Sequence, residues 1–175
     1  MSRITEAELL QKLRELHAQV DRTAAGIVER LPRSLKCGPG CASCCQDDLT
    51  VFAVEALRIR REFPDVLKGG VPGPVGRCAF LDGEDRCRVY SARPYVCRTQ
   101  GLPLRWLVEQ DGEWVEYRDI CPINDDDFPL VELPESDCYP LGPAEEVLRE
   151  LQFLLGGDDL TRVALRSLIS EATGR

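Results

Sequence analysis

Apolar residues recur every three or four positions in the first part of the chain: Leu9, Leu13, Leu16, Val20, Ala24, Ile27 and Leu31. That period lays them along one stripe of an α-helix, predicted over residues 5–31. Thr5 and Glu8 stand three apart at its start, the capping-box spacing in which hydroxyl and carboxylate satisfy free amides. Pro32 ends it. A stripe of fewer than four heptads, with no ordered row of charges beside it, predicts packing within the chain rather than a coiled-coil dimer.

A second helix is predicted over 50–62, with Thr50 as its cap and Val51, Val54, Leu57 and Ile59 facing inward. Residues 68–74, Lys-Gly-Gly-Val-Pro-Gly-Pro, read as a linker or surface loop. A hairpin is expected over 77–90, where Cys78-Ala79-Phe80-Leu81 and Arg86-Cys87-Arg88-Val89 flank Asp82-Gly83. A second is expected where 104–109 and 114–117 flank Asp111-Gly112. The acidic, proline-punctuated stretch 121–143 reads as mostly loop. Two helices are predicted at the end, 143–155 and 160–172, separated by Gly156-Gly157. Their stripes, Val147, Leu151, Leu154 and Leu160, Val163, Leu168, are expected against the first helix. No internal repeat is present. The expected fold is α+β: one helix-rich domain over 1–175, with two short β-hairpins and a loop-borne cysteine metal cluster. Within it, 1–36 form the N-terminal helix, 37–125 the cysteine-cluster region and 139–175 a helical pair.

Charge narrows the partners. Thirty acidic residues against 22 lysines and arginines leave a net charge of −8. Nucleic acid and anionic membranes both demand a basic footprint, so neither is expected as a partner. No apolar run approaches the roughly 20 residues of a membrane span, and none follows Met1 as a secretory signal would. The expected location is the cytoplasm.

Nine cysteines in a reducing compartment then need an explanation. The count is odd and Cys44 adjoins Cys45, which suits a disulfide framework badly. Inert core cysteines would not crowd four into the nine residues CGPGCASCC, where Cys37, Cys41, Cys44 and Cys45 lie. Thiolates must converge on one ion, and Gly38, Gly40, Ala42 and Ser43 let the backbone curl to allow it. Cys78 and Cys87 fall on facing arms of the first predicted hairpin, Cys97 on a helical turn begun near Arg93-Pro94, and Cys121 after the second hairpin. These eight could form two four-thiolate sites, or one cluster with spare thiols. Cys138 is read as non-ligating, and the lone His17 as a surface or edge-of-core residue. An all-thiolate site selects zinc or an iron–sulfur cluster, for instance [4Fe-4S], over magnesium or calcium. Arg86, Arg88, Arg93, Arg98 and Arg105 occupy a stretch without acidic residues. They would offset thiolate charge, Arg93 and Arg98 above all, or serve salt bridges to the acidic second half, or line an anionic pocket.

The eight ordered cysteines, with Tyr90, Arg93, Pro94, Cys97 and Arg98 forming Y-x-x-R-P-x-x-C-R between them, resemble the YkgJ-type cysteine cluster family of zinc- or iron-chelating domains. The resemblance covers Cys37 to about Cys121 and implies metal chelation through these residues. The same cluster is similar to that of flagellin lysine methylases, longer proteins associated with an iron–sulfur centre. The expectation is a metal-binding protein serving metal handling or electron transfer. The alternative is an enzyme using the cluster for thiol redox chemistry or methyl transfer. A radical S-adenosylmethionine enzyme would need a βα series that the pattern lacks.

Overall fold

The computed structural model describes residues 4–38, 40–125, 129–156 and 161–169. Its longest element is helix α1, Glu6–Arg30, capped as its sequence dictates. The Thr5 hydroxyl accepts from the Glu8 amide at 3.2 Å, and the Glu8 carboxylate accepts from the Thr5 amide at 2.8 Å. Leu9, Leu13, Leu16, Val20 and Ile27 of the stripe are buried, and α1 packs against α6 (Pro143–Gly156), α4 (Tyr95–Thr99) and α2 (Ala53–Glu62) of its own chain.

Strand β1, Thr50–Phe52, precedes α2 and replaces the first turn of the expected helix. Thr50 is therefore no cap. Instead the Phe52 amide donates to the Glu55 carboxylate at 3.2 Å. The β1 residues alternate sides, so Val51 enters one apolar core and Phe52 another. The partner of β1 is β5, Arg162–Ala164, antiparallel with Val51 opposite Val163. Thus the described part of the expected last helix begins as a strand, while 160 and 170–172 lie outside the described residues.

A short helix α3, Pro64–Gly69, follows α2. The first expected hairpin is shortened to a single antiparallel bridge, Leu81 with Cys87. The second is present in full, as β2 (Leu104–Gln110) and β3 (Glu113–Asp119), with Asp111 and Gly112 both at positive φ in the turn. Beyond β2 on its other edge lies β4, Tyr139–Pro140, running parallel, in a stretch expected to be mostly loop. Helix α5, Pro122–Asp125, follows β3.

Two main cores result. One gathers Val51, Ala56, Ile59, Phe80, Val89, Leu165 and Leu168. The other joins the α1 stripe to Val54, Tyr95, Tyr139, Leu148 and Leu151. On α6 the buried face is Ala144, Leu148, Leu151 and Gln152, so Val147 and Leu154 of the expected stripe are exposed. Leu168 packs in the first core rather than on α1. The overall class is α+β, with short sheets and with the cysteines in and around loops. Among the described residues, no helix is long and apolar enough to cross a membrane.

Candidate metal centre

The CGPGCASCC segment curls through two tight turns, with the Cys41 amide donating to the Gly38 carbonyl at 2.9 Å and the Cys45 amide to the Ala42 carbonyl at 3.0 Å. The Cys45 carbonyl then accepts from the Cys78 amide at 2.9 Å, stitching the first cysteine segment to the second. The Leu81–Cys87 bridge holds Cys87 beside that strand-like stretch. Cys97 rides on α4, which starts after Pro94.

These local turns bring seven thiols around one cavity of about 160 Å3: Cys37, Cys41, Cys44, Cys45, Cys78, Cys87 and Cys97. Its walls are otherwise mainly apolar, with Phe80, Val89 and Leu165 among them, and the lining holds neither a carboxylate nor an imidazole. Cys121 lines a second cavity of about 400 Å3, which shares Cys44 and Gln100 with the first. All nine cysteines are free thiols. As the side chains stand, no three His, Cys, Asp or Glu groups among the described residues close on a common ion position. Cys138 sits apart, 1% exposed, in a small apolar cluster with Ile120 and Leu133.

Burial governs the thiols. It pushes Cys78 and Cys87 above the ordinary thiol range and Cys97 up to about 12, where neighbouring Cys78 and Cys87 add to the effect. Cys44 moves the other way, because the Cys45 thiol donates to it, and Cys45 is raised by the same bond. Cys37 is raised by burial against the opposing pull of the Asn124 side-chain amide, which donates to its sulfur at 3.4 Å. Asn124 also donates to the Gly101 carbonyl at 3.1 Å. Gly101 has φ +91°, and a Cβ there would stand 2.8 Å from the Cys37 sulfur, so only glycine fits without displacing that thiol.

The arginine run divides. Arg93 lines the cysteine cavity while pairing with Asp21 at 3.2 Å and covering the Tyr90 ring at 4.2 Å. Arg98 does not line it; its guanidinium is buried against Asp21 and the Ser91 carbonyl. Arg86 pairs with Asp82 and Glu84, and Arg105 with Glu116 and Glu135. Arg88 is spent on the carbonyls of Val71, Ala79 and Phe80. Salt bridges and carbonyl capping thus account for most of the run.

Three buried polar residues behind the cavity escape the sequence reading. His17 is 1% exposed rather than superficial. Arg58 can only donate, so His17 Nδ1 accepts from it at 2.7 Å, and Nε2–H donates to Glu55 at 3.2 Å. The same Glu55 oxygen accepts from the Tyr95 amide at 2.7 Å, fixing the start of α4 and hence Cys97. The missed signal was positional: His17 stands four after Leu13 and three before Val20, on the buried stripe itself. On the far side, Arg166 forms an ion pair with Asp47 and donates to the carbonyls of Gly73, Pro74 and Arg77 at 2.9–3.0 Å, clamping the cysteine loops to the segment that supplies Leu165.

No curated protein and no solved structure gives a significant match to the chain. Residues 36–122 match a family model described as "CxxCxxCC: putative zinc- or iron-chelating domain", a span that contains all eight cysteines brought around the two cavities. Over those residues the chain is similar to this cysteine-cluster family.

Proposed function

We propose that the chain holds a zinc ion or an iron–sulfur cluster through thiolates drawn from Cys37, Cys41, Cys44, Cys45, Cys78, Cys87, Cys97 and Cys121, serving metal handling or electron transfer. The observation that carries this reading is the meeting of seven thiols, from residues 37 to 97, around one small cavity whose lining holds no carboxylate. Soft sulfur ligands select zinc and iron–sulfur centres over oxygen-loving cations. Cysteine turns about a single side-chain torsion, so a rotamer change swings its sulfur toward or away from the cavity. Arg93, at the cavity wall, offsets the negative charge that ionised thiolates would bring. Nine unpaired cysteines also fit a reducing compartment, and we place the protein in the cytoplasm.

Anaerobic purification followed by metal analysis and a visible spectrum tests this. A coloured protein carrying iron and sulfide, or a colourless one carrying zinc, is the expected result, with Cys41→Ser and Cys44→Ser each lowering metal content and melting temperature together. Protein free of metal after reconstitution with zinc and with iron and sulfide would overturn it.

A further inference from the structure

We propose that the eight cysteines form two soft-metal sites of unequal access: an inner one held by Cys45, Cys78, Cys87 and Cys97, and an outer one held by Cys37, Cys41, Cys44 and Cys121 through which metal exchanges with solution. This rests on the metal-binding reading above and deepens it.

The division follows from which thiols neighbour which. Cys97 has Cys78 and Cys87 beside it, Cys45 has Cys78 and Cys97, and the Cys45 carbonyl is bonded to the Cys78 amide, while Cys44, hydrogen-bonded to Cys45 and also near Cys97, stands between the two groups. Phe80, Val89 and Leu165 wall the cavity they share, which Cys37, Cys41 and Cys44 also reach. Cys37 instead has Cys121 and Cys41 as its thiol neighbours. Asn124 binds it to the opposite wall: its side-chain amide reaches the Cys37 sulfur, and its backbone amide donates to the Cys121 carbonyl at 2.7 Å. Cys121 faces only the larger cavity of about 400 Å3, which lies against the smaller one with Cys44 at the boundary.

Adjacent residues in a tight turn are poorly placed to serve one ion together, which is why Cys44 and Cys45 are assigned to different sites. Four thiolates complete a tetrahedral zinc site, and two such sets use all eight sulfurs with none left over. A four-sulfur site with apolar walls, one of its cysteines buried, holds its metal as structure. An outer site beside a roomy cavity carrying Ser43, Gln46, Gln100 and Asp119 has space for an incoming ligand to displace one thiolate. That is how soft ions pass between thiolate sites, and it makes the outer site the one suited to metal handling.

Zinc titration of the reduced, full-length chain, followed by a chelator chase, provides the test. The wild type is expected to bind two equivalents and release them in two phases of equal amplitude, one fast and one slow. The double variant Cys37→Ser/Cys121→Ser should keep one equivalent, released slowly, with the fast phase gone. Cys138→Ala, in its separate apolar cluster, should keep both. A wild type that binds one equivalent, or two leaving in a single phase, overturns the two-site assignment while leaving metal binding intact. So does a double variant that loses both equivalents or retains the fast phase. A wild type that binds no zinc, and no iron and sulfide on reconstitution, overturns the metal-binding reading as well.

Discussion

Replacing Glu55 by glutamine isolates the network that holds Cys97 in place. The carboxylate is 3% exposed and accepts three hydrogen bonds: from the Tyr95 amide and His17 Nε2 on one oxygen, and from the Phe52 amide on the other. Glutamine preserves the shape but turns one oxygen into a donor, so at least one buried donor faces another. An orphaned buried donor costs about 1–3 kcal/mol, and exchanging charged for neutral bonds removes about 1 kcal/mol more. The expected loss is therefore about 2–4 kcal/mol, or close to 10 °C in melting temperature for a chain of this length, read by calorimetry on metal-loaded protein. Glu6→Gln, at the exposed pair with Arg61, should leave the melting temperature unchanged. A drop of under about 2 °C in the Glu55→Gln variant would refute the claim that this carboxylate anchors α4.

Two further outcomes follow from features of the same region. Gly101→Ala places a methyl at φ +91° and 2.8 Å from the Cys37 sulfur, so it should cost about 1–3 kcal/mol and speed zinc release, measured by denaturant unfolding and a chelator chase. His17, the only histidine, has its pKa lowered from 6.5, chiefly by burial and against the opposing pull of Glu55. Above about pH 6.5 the ring is neutral folded or unfolded. Below it the unfolded chain takes up a proton that the folded chain refuses, so stability falls by up to about 1.4 kcal/mol per pH unit until the folded pKa is reached. The lone imidazole resonance in an NMR titration should show a midpoint below 6.5, and one at or above it would refute the buried neutral ring.

What the sequence disclosed was local. The cap, stripe and stop of α1 all lie within the helix or beside it, and the Asp111-Gly112 turn announces its hairpin within two residues. Thr50-Val51-Phe52 reads as a helix start because its strand partner, 162–164, lies more than a hundred residues away. The same distance hides β5, whose short segment matches a helical stripe equally well. Glu55 and Arg58 pass for the polar face of α2, since burial of a charge becomes favourable only once α1 and α4 supply partners. The cysteine spacing pointed to a chelating segment, and the family match falls on the same residues. Their grouping depended on tertiary contacts such as the Cys45–Cys78 backbone bond.

The Arg166 clamp has a consequence for when the protein can acquire metal. Wall residues of the cysteine cavity run from Cys37 to Leu165, and Arg166 ties the last of them to the loops around Asp47 and Gly73. During synthesis the N-terminal segments emerge first, so every cysteine leaves the ribosome before Leu165 and Arg166, which complete the chamber begun by Phe80 and Val89. A nascent chain stopped short of Leu165 exposes the thiols without their enclosure. On the proposed metal-binding reading, stable loading is expected only once Leu165 and Arg166 have been made.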